Sequence, residues 1–466
     1  MSTETRPHPP SVERGLAAAR ARLGGERGAP AADALVDVAR TIVAEERDRL
    51  TSGAVPRSVA GLGEDVAARI RRFTTPLSPR AINATGVIIH TNLGRAPWPA
   101  AAVEAAAQAA RDYLLLELDW DTGRRGARLR VAEEHLIALT GGEDALVTNN
   151  NAAAVALAVG LAGRGPRAGV IVGRGELVEI GGGVRIPEII RRAGARLIEV
   201  GTTNRTRASD YEEPLASGAA RVVLRVHPSN FRQSGFTEAP DPADLAALAH
   251  RHEAIVVDDL GSGALLPTER YGLAHEPLPA ERLLAGADLV TFSGDKLVGG
   301  PQAGLIVGRA DLIARIRRDP LARAMRPDKV TLVALGATLG LYRAGVAETE
   351  VPVWRMIAAD RDALRTRAEA IVQGLGGGPA VEVIATEATI GGGSLPGETL
   401  PSFGLAIAGR SPDGVLRGLR RGDPSVVGRI ESGRVILDLR TVAPEHDRDL
   451  AIAISRAARR GHATTP

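Results

Sequence analysis

Ser293-Gly294-Asp295-Lys296-Leu297-Val298-Gly299-Gly300 is the stretch that decides how this chain reads. An apolar run, Leu289-Val290-Thr291-Phe292, precedes it, and another, Ala303 to Gly308, follows. Short apolar runs bounded by glycines read as buried strands. Lys296 is therefore expected on a tight turn between two strands, among glycines that let the backbone approach a ligand closely. Composition singles this residue out. Lys and Arg total 58, and only Lys296 and Lys329 are lysines, which leaves 56 arginines (58 − 2). A guanidinium stays protonated, so a lysine kept in such a chain does what arginine cannot: act as a nucleophilic amine. The fitting chemistry is attachment to a carbonyl, such as the aldehyde of pyridoxal phosphate. The plainer alternative is a surface lysine on a turn, and a position between two core strands disfavours it.

Composition bounds the rest. A chain of 466 residues is expected to form two or three domains. Charged residues make up 24% and apolar residues 44%, an ordinary globular balance, and a net charge of +3 excludes a general polyanion binder. There is no cysteine, so disulfides and thiolate chemistry are excluded and a cytoplasmic location is expected. Met1 to Pro10 lacks the apolar core of a signal peptide. No apolar run approaches the ~20 residues of a membrane helix.

Three regions are expected. Residues 1–80 read as a helical module, with helices over Ser11 to Leu23, Ala31 to Leu50 and Val59 to Phe73, then a linker at Thr74 to Pro79. This module holds 13 Arg against 10 Asp plus Glu, so its +3 equals the charge of the whole chain. Arg69, Arg71 and Arg72 cluster at its end, either as a nucleic-acid contact or as a solvated helix face. Residues 81–345 alternate strand-like runs (Ala145 to Val147, Gly169 to Val172, Arg196 to Val200, Val222 to Val226, Ala254 to Val257, Asp288 to Phe292) with helical patterns. This alternation predicts a largely parallel sheet covered on both faces, with ligands beyond the carboxyl ends of its strands. Residues 346–466 read as a smaller α+β domain, entered through one long helical segment, Val351 to Leu375.

Several residues join Lys296 as candidates. Asn149-Asn150-Asn151-Ala152 opens an Ala-rich helix after a strand, where first-turn N–H groups form an anion site, and Ser293 adds a hydroxyl. Ile255-Val256-Val257 ends in Asp258-Asp259. A carboxylate there needs hydrogen bonds or a cationic partner such as a protonated pyridine nitrogen; one of the two is expected to meet such a cation and the other to be structural or solvent-facing. Arg95, Arg128 and Arg326 lie in glycine-containing or turn-like stretches and suit phosphate or carboxylate oxygens, although most of 56 arginines are surface charges and only a resemblance selects among them. His90, after an apolar run, is either an acid/base group or a packed histidine. No metal-ligand spacing, P-loop or nucleophile elbow is present.

The motifs resemble those of the bacterial L-seryl-tRNA(Sec) selenium transferase family. The matching segments are Ile82 to Val87, His90 to Ala96, Asn149 to Ala154, Arg174 to Gly182, Glu199 to Thr206, Asp259 to Gly263, Ser293 to Lys296, Gly299 to Gly304 and Gly393 to Pro396. The resemblance implies a pyridoxal 5'-phosphate enzyme of α/β fold type I (aspartate-aminotransferase-like), with a mostly parallel central sheet, a small α+β C-terminal domain and an N-terminal helical module that binds tRNA. It implies that Lys296 forms the internal aldimine, with Asp295 beside it, and that Asp259 meets the pyridine nitrogen. Asn150, Asn151, Ala152 and Ser293 would hold the cofactor, and Arg95, Arg128 and Arg326 would hold selenophosphate. Asp258 departs from the family, which has an aliphatic residue there. The implied reaction takes seryl-tRNA(Sec) through an aminoacrylate to selenocysteinyl-tRNA(Sec) in a homodecamer, a pentamer of dimers. Two competing readings are a lyase of the same fold acting on a small amino acid or amino sugar acid, and an RNA-binding scaffold without catalysis.

Overall fold

The computed structural model describes residues 10–23, 32–74, 80–126, 128–163, 165, 168–376, 380–408 and 411–462. The chain divides into two compact units, Met1–Arg80 and Ala81–Pro466. The expected linker, apart from Thr74, and nearly all of the N-terminal tail lie outside the described residues, as do the side chains of Arg71 and Arg72.

The first unit is three helices, α1 (Val12–Leu23), α2 (Ala32–Thr51) and α3 (Val59–Thr74). Their apolar positions recur every three or four residues, which puts Leu16, Ala19 and Leu23 of α1, Leu35, Ala39 and Ile42 of α2, and Leu62, Val66 and Ile70 of α3 into one core. Gly63 permits the α1–α3 crossing, because a Cβ there would stand 2.5 Å from Ala18 Cβ. One carboxylate sits inside this unit. Glu46 is fully buried and accepts from Arg57 N (2.8 Å), Arg57 Nε (2.6 Å) and Arg49 Nη1 (2.6 Å). Burial pushes its carboxyl up, and the bonds from Arg57 and Arg49 outweigh that and hold it down at about 2.

The second unit contains β1 (Ala81–Asn83), β2 (Val87–Ile89), β3 (Asp144–Thr148), β4 (Gly169–Gly173), β5 (Glu179–Ile180), β6 (Val184–Arg185), β7 (Arg196–Val200), β8 (Ala220–Val226), β9 (Ile255–Gly261), β10 (Leu289–Ser293) and β11 (Gly304–Gly308). The large sheet has the order β3-β11-β10-β9-β8-β4-β7. All its neighbours pair in parallel except at β11, which is antiparallel to both β3 and β10. Side chains alternate across it, as the strand period requires. Val170, Val172, Val222 and Leu224 pack with the helix Asn151–Gly160, whereas Ile171, Val223 and Val256 pack with residues of the helices Ala208–Ala216 and Pro242–Arg251. With helices on both faces, the strands are mostly apolar and legible as runs.

The remaining strands are β12 (Val381–Gly391), β13 (Thr399–Ile407), β14 (Ser425–Val427), β15 (Arg429–Glu431) and β16 (Arg434–Asp438). They form a second sheet, β15-β16-β13-β12-β2, and a β1–β14 pair. The first two strands after residue 80 thus pair with C-terminal strands, although they lie in the stretch assigned to the large domain. The expected long helix at Val351 to Leu375 is two helices, Pro352–Ile357 and Arg361–Gly374. Asp360 causes the break: it is extended (φ −66°, ψ 135°) and its side chain caps the second helix by accepting from Ala363 N. No helix among the described residues is long and apolar enough to cross a membrane.

The Glu46 site gives a pH prediction. A carboxyl held near 2 when folded, against about 4.5 unfolded, adds stability that is complete above about pH 4.5 and lost as pH falls toward 2. Hydrogen exchange at α1–α3 amides should speed up over that window, and Glu46→Gln should flatten the dependence while weakening protection at pH 7.

Candidate active site

The carboxyl ends of β8, β9 and β10 meet the start of the helix Asn151–Gly160 and enclose a cleft of about 280 Å³. Arg95, Asn150, Asn151, Ala152, Asp259, Ser293, Asp295 and Lys296 all line it. Eight of the expected site residues therefore converge, from positions up to 201 residues apart (296 − 95). A second recess of similar volume, around Thr386 and Arg429, contains neither lysine and stands apart from this convergence.

Lys296 lies on the connection from Gly294 to Ala303, which is longer than the tight turn expected. That loop is tied down at several points. Gly294 N donates to Ala303 O, Leu297 N to Ser262 O, and Gly300 N to Gly294 O. The Tyr342 hydroxyl lies 3.1 Å from Leu297 O and 2.9 Å from Val298 O, and it accepts from Trp354 Nε1 at 2.6 Å. From the other side, the loop after β12 closes over the amine: Lys296 Nζ donates to Gly393 O at 3.4 Å. A Cβ on Gly393 would stand 2.5 Å from that nitrogen, and its φ is +80°. Only glycine suits this position on both counts.

Burial, and after it the Arg95 guanidinium, hold the Lys296 amine below the usual lysine range, against the pull of Asp259, Asp295 and Glu276. Arg95 Nη1 donates to Asp295 Oδ2 at 2.7 Å. Arg95 has φ 65° and follows Gly94 at φ 84°, so a left-handed turn aims the guanidinium inward. Asp259 is buried, and its Oδ1 accepts from Asn151 Nδ2 (2.8 Å) and Thr291 Oγ1 (2.9 Å). Burial pushes its carboxyl up, and those two bonds and Lys296 oppose the rise. Asn150 caps its helix by accepting from Ala153 N at 2.9 Å. The two consecutive asparagines therefore divide the work, one holding the helix start and the other the carboxylate.

Strand alternation separates the Asp pair. Val226 faces Asp259 across β8 and β9, and both line the cleft. Arg225 faces Asp258 one residue earlier and so belongs to the opposite face. There Asp258 Oδ2 lies 3.6 Å from Arg282 Nε, and Arg225 Nε lies 3.5 Å from Glu176 Oε1. Burial pushes the Glu176 carboxyl up to about 7 despite Arg225. Asp258 is thus a member of a buried charge network behind the sheet.

Arg128 and Arg326 do not line the cleft. They meet each other's field at Glu117: Arg128 Nη1 donates to Glu117 Oε1 at 3.0 Å, and Arg326 Nη1 lies 3.5 Å from the same oxygen. Arg128 Nη2 also donates to Pro327 O, and Asn149 N donates to Met325 O, so this cluster adjoins the strand–helix junction that opens the cleft. His90 is outside the cleft lining, and its Nδ1 is buried without a partner among the described residues. The sequence reading missed His227, Ser229 and Gln302, which do line the cleft. His227 Nε2 stands 3.3 Å from the buried Glu276 carboxylate. It directly follows the apolar run Val222 to Val226, and a polar residue at the carboxyl end of a parallel strand was the signal that could have found it.

The family model for L-seryl-tRNA selenium transferase (SelA) matches residues 81–443, beginning where the second unit begins. The chain is 45% identical over 427 residues to the L-seryl-tRNA(Sec) selenium transferase of Rhizobium meliloti, covering 88% of this chain and 90% of that one. It is 42% identical over 449 residues to that of Methylocella silvestris, covering 94% of each. Among solved structures it is similar to a D-glucosaminate-6-phosphate ammonia-lyase, with a TM-score of 0.60, 23% identity, and coverage of 84% of this chain and 99% of that one.

The two lysines allow a direct check of the site. Lys329 is half-buried, outside the cleft lining, and donates to Asp112 O. At pH 7.5, reductive trapping with an excess of small aldehyde should modify Lys296 ahead of Lys329, read by peptide mass mapping. Gly393→Ala should slow the Lys296 reaction and leave Lys329 unchanged. Equal labelling of both lysines would remove Lys296 as the reactive amine.

Proposed function

The chain belongs to the L-seryl-tRNA selenium transferase family, pyridoxal-phosphate enzymes that convert L-seryl-tRNA(Sec) to L-selenocysteinyl-tRNA(Sec), and from that premise we propose that the Lys296 cleft is its active site and selenophosphate its selenium donor. The carrying observation is the desolvated Lys296 amine facing the same cleft as the doubly bonded Asp259 carboxylate.

The residues fit the cofactor. Asn151 Oδ1 and Asp295 Oδ1 are buried in the cleft wall with no partner among the described residues. Asp259 receives both its described bonds on Oδ1, which leaves Oδ2 to accept from a pyridine nitrogen. The helix start at Asn151 and Ala152, with the Ser293 hydroxyl, suits the phosphate. Pyridoxal phosphate, when bound, supplies an electron sink for charge developing at the carbon next to the substrate nitrogen.

The chain's own residues supply the proton handling. Lys296 is held toward its free-amine form, which is the form that takes the α-proton of the seryl group. Asp259 would accept from the ring nitrogen and hold its proton there. His227, beside Glu276 in the cleft wall, would give a proton to the β-hydroxyl as it leaves as water. Selenium then takes the hydroxyl's place on the β-carbon, and water breaks the P–Se bond to release phosphate.

Arg95, Arg128 and Arg326 receive the selenophosphate in this reading. Arg128 and Arg326 share one carboxylate, Glu117, and so carry an uncompensated positive charge next to the cleft opening. The helical unit Met1–Arg80, mildly basic, would hold the body of the tRNA, and the protein would act in the cytoplasm as a homodecamer. The lyase alternative gives no role to that unit.

Turnover of seryl-tRNA(Sec) with selenophosphate tests the assignment. Lys296→Ala should lower it by at least about a hundredfold, the low end for a lost general base, and a retained rate would refute the role. Arg326→Ala should raise the KM for selenophosphate about tenfold, one charge-assisted contact, with the KM for tRNA unchanged. A protein lacking residues 1–80 should bind tRNA more weakly and keep its cofactor absorbance; equal affinity would exclude that unit from tRNA binding.

A further inference from the structure

Phe236 is one of five phenylalanines in the chain, and its ring is 84% exposed. The backbone beneath it is held. Asn204 Nδ2 donates to Phe236 O at 2.6 Å, Glu238 N to Asn204 O, and Thr206 N to Glu238 O, so the segment is laced to the turn that follows β7. The Arg205 guanidinium lies 6.0 Å from the Phe236 ring centroid. Arg205 is exposed and has no ion pair among the described residues, whereas its neighbour Arg207 is paired with Glu238. An exposed aromatic face beside a guanidinium without a carboxylate partner is a surface on which nucleobases stack.

Its place in the fold fits one ligand. Phe236 lies on the segment that leaves β8 through His227 and Ser229, both in the cleft wall. The same segment is braced against the cleft's outer hairpin, since Asn230 Nδ2 donates to Glu179 O. The turn after β7 is two strand spacings, about 10 Å, from β8, whose end lines the cleft through Val226 and His227.

We propose that Phe236 and Arg205 form a stacking platform for the unpaired terminal base of the tRNA acceptor end, beside the cleft that takes its seryl ester. The inference rests on the transferase reading above. Stacking is sequence-tolerant, so this platform would orient the ester and add affinity without reading the identity of the tRNA. Discrimination among serine tRNAs must then come from other surfaces.

The test uses the full-length holoenzyme and seryl-tRNA(Sec) whose 3′-terminal adenosine is replaced by 2-aminopurine. Binding should quench the probe in the wild-type protein. Phe236→Ala should lose at least half of the quench and raise the KM for seryl-tRNA about tenfold, equivalent to about 1.4 kcal/mol, with kcat and cofactor absorbance unchanged. Phe236→Tyr should retain both quench and KM. An unchanged quench and KM in Phe236→Ala would overturn the platform while leaving the transferase reading intact. A shift in sedimentation with an unchanged quench would overturn it in favour of a contact between subunits. A wild-type protein that neither binds nor turns over seryl-tRNA would overturn the transferase reading and the platform with it.

Discussion

A lysine amine taken out of water is the constraint around which this structure is arranged. An isolated buried ammonium is costly, so the group must either find counter-charges or give up its proton. Here the arrangement is poised between those outcomes. Burial and Arg95 favour the free amine, while Asp259, Asp295 and Glu276 favour the ammonium. Everything that encloses Lys296 contributes to this balance. Tyr342 and Trp354 fix the loop from below, and Gly393 brings a carbonyl against the amine from the second sheet. The two sheets of the second unit are therefore coupled at the Lys296 amine itself.

The period of a strand decides which charges take part. β9 ends in two aspartates, and a step of one residue sends them to opposite faces. Asp259 joins the cleft, and Asp258 joins Arg225, Arg282 and Glu176 behind the sheet. That rear network is buried and incompletely bonded: Arg225 Nε and Nη1 and Glu176 Oε2 lack partners among the described residues. Buried charges of this kind add little net stability, and replacing them in concert with apolar groups is often tolerated. Their consequence is positional, because any shift of Arg225 or Asp258 moves the strand residues next door, Val226 and Asp259, which face the cleft.

The large sheet was legible because it is buried on both sides, so its strands are continuous apolar runs with helices between them. Lys296 was legible through composition, since an arginine-rich chain leaves its few lysines conspicuous. The break at Asp360 was not, because an aspartate within a helical pattern reads equally as a solvated position or as a cap. The pairing of β1 and β2 with C-terminal strands was hidden for a different reason: strand partnership over more than 300 residues leaves no local trace. The choice between Asp258 and Asp259 needed register, which a run of four apolar or acidic residues does not specify. His227 escaped because a single histidine after a strand carries no motif, and only the neighbouring Glu276 and the cleft give it meaning.

Charge placement, more than net charge, equips this protein for anions. Its 58 basic residues are nearly balanced by 55 acidic ones, so long-range attraction to a polyanion is weak at physiological salt. What remains is local imbalance. Arg128 and Arg326 divide a single carboxylate, Arg95 is tied to Asp295 through one nitrogen, and Arg205 has no carboxylate partner among the described residues. Each leaves guanidinium donors available in a fixed orientation, where a phosphate or a base can complete them. An anion gains there only if its shape brings its oxygens to those donors. Under the proposed function, a nearly neutral enzyme would in this way accept a small anionic donor and the end of a large nucleic acid at one cleft without holding every polyanion it meets.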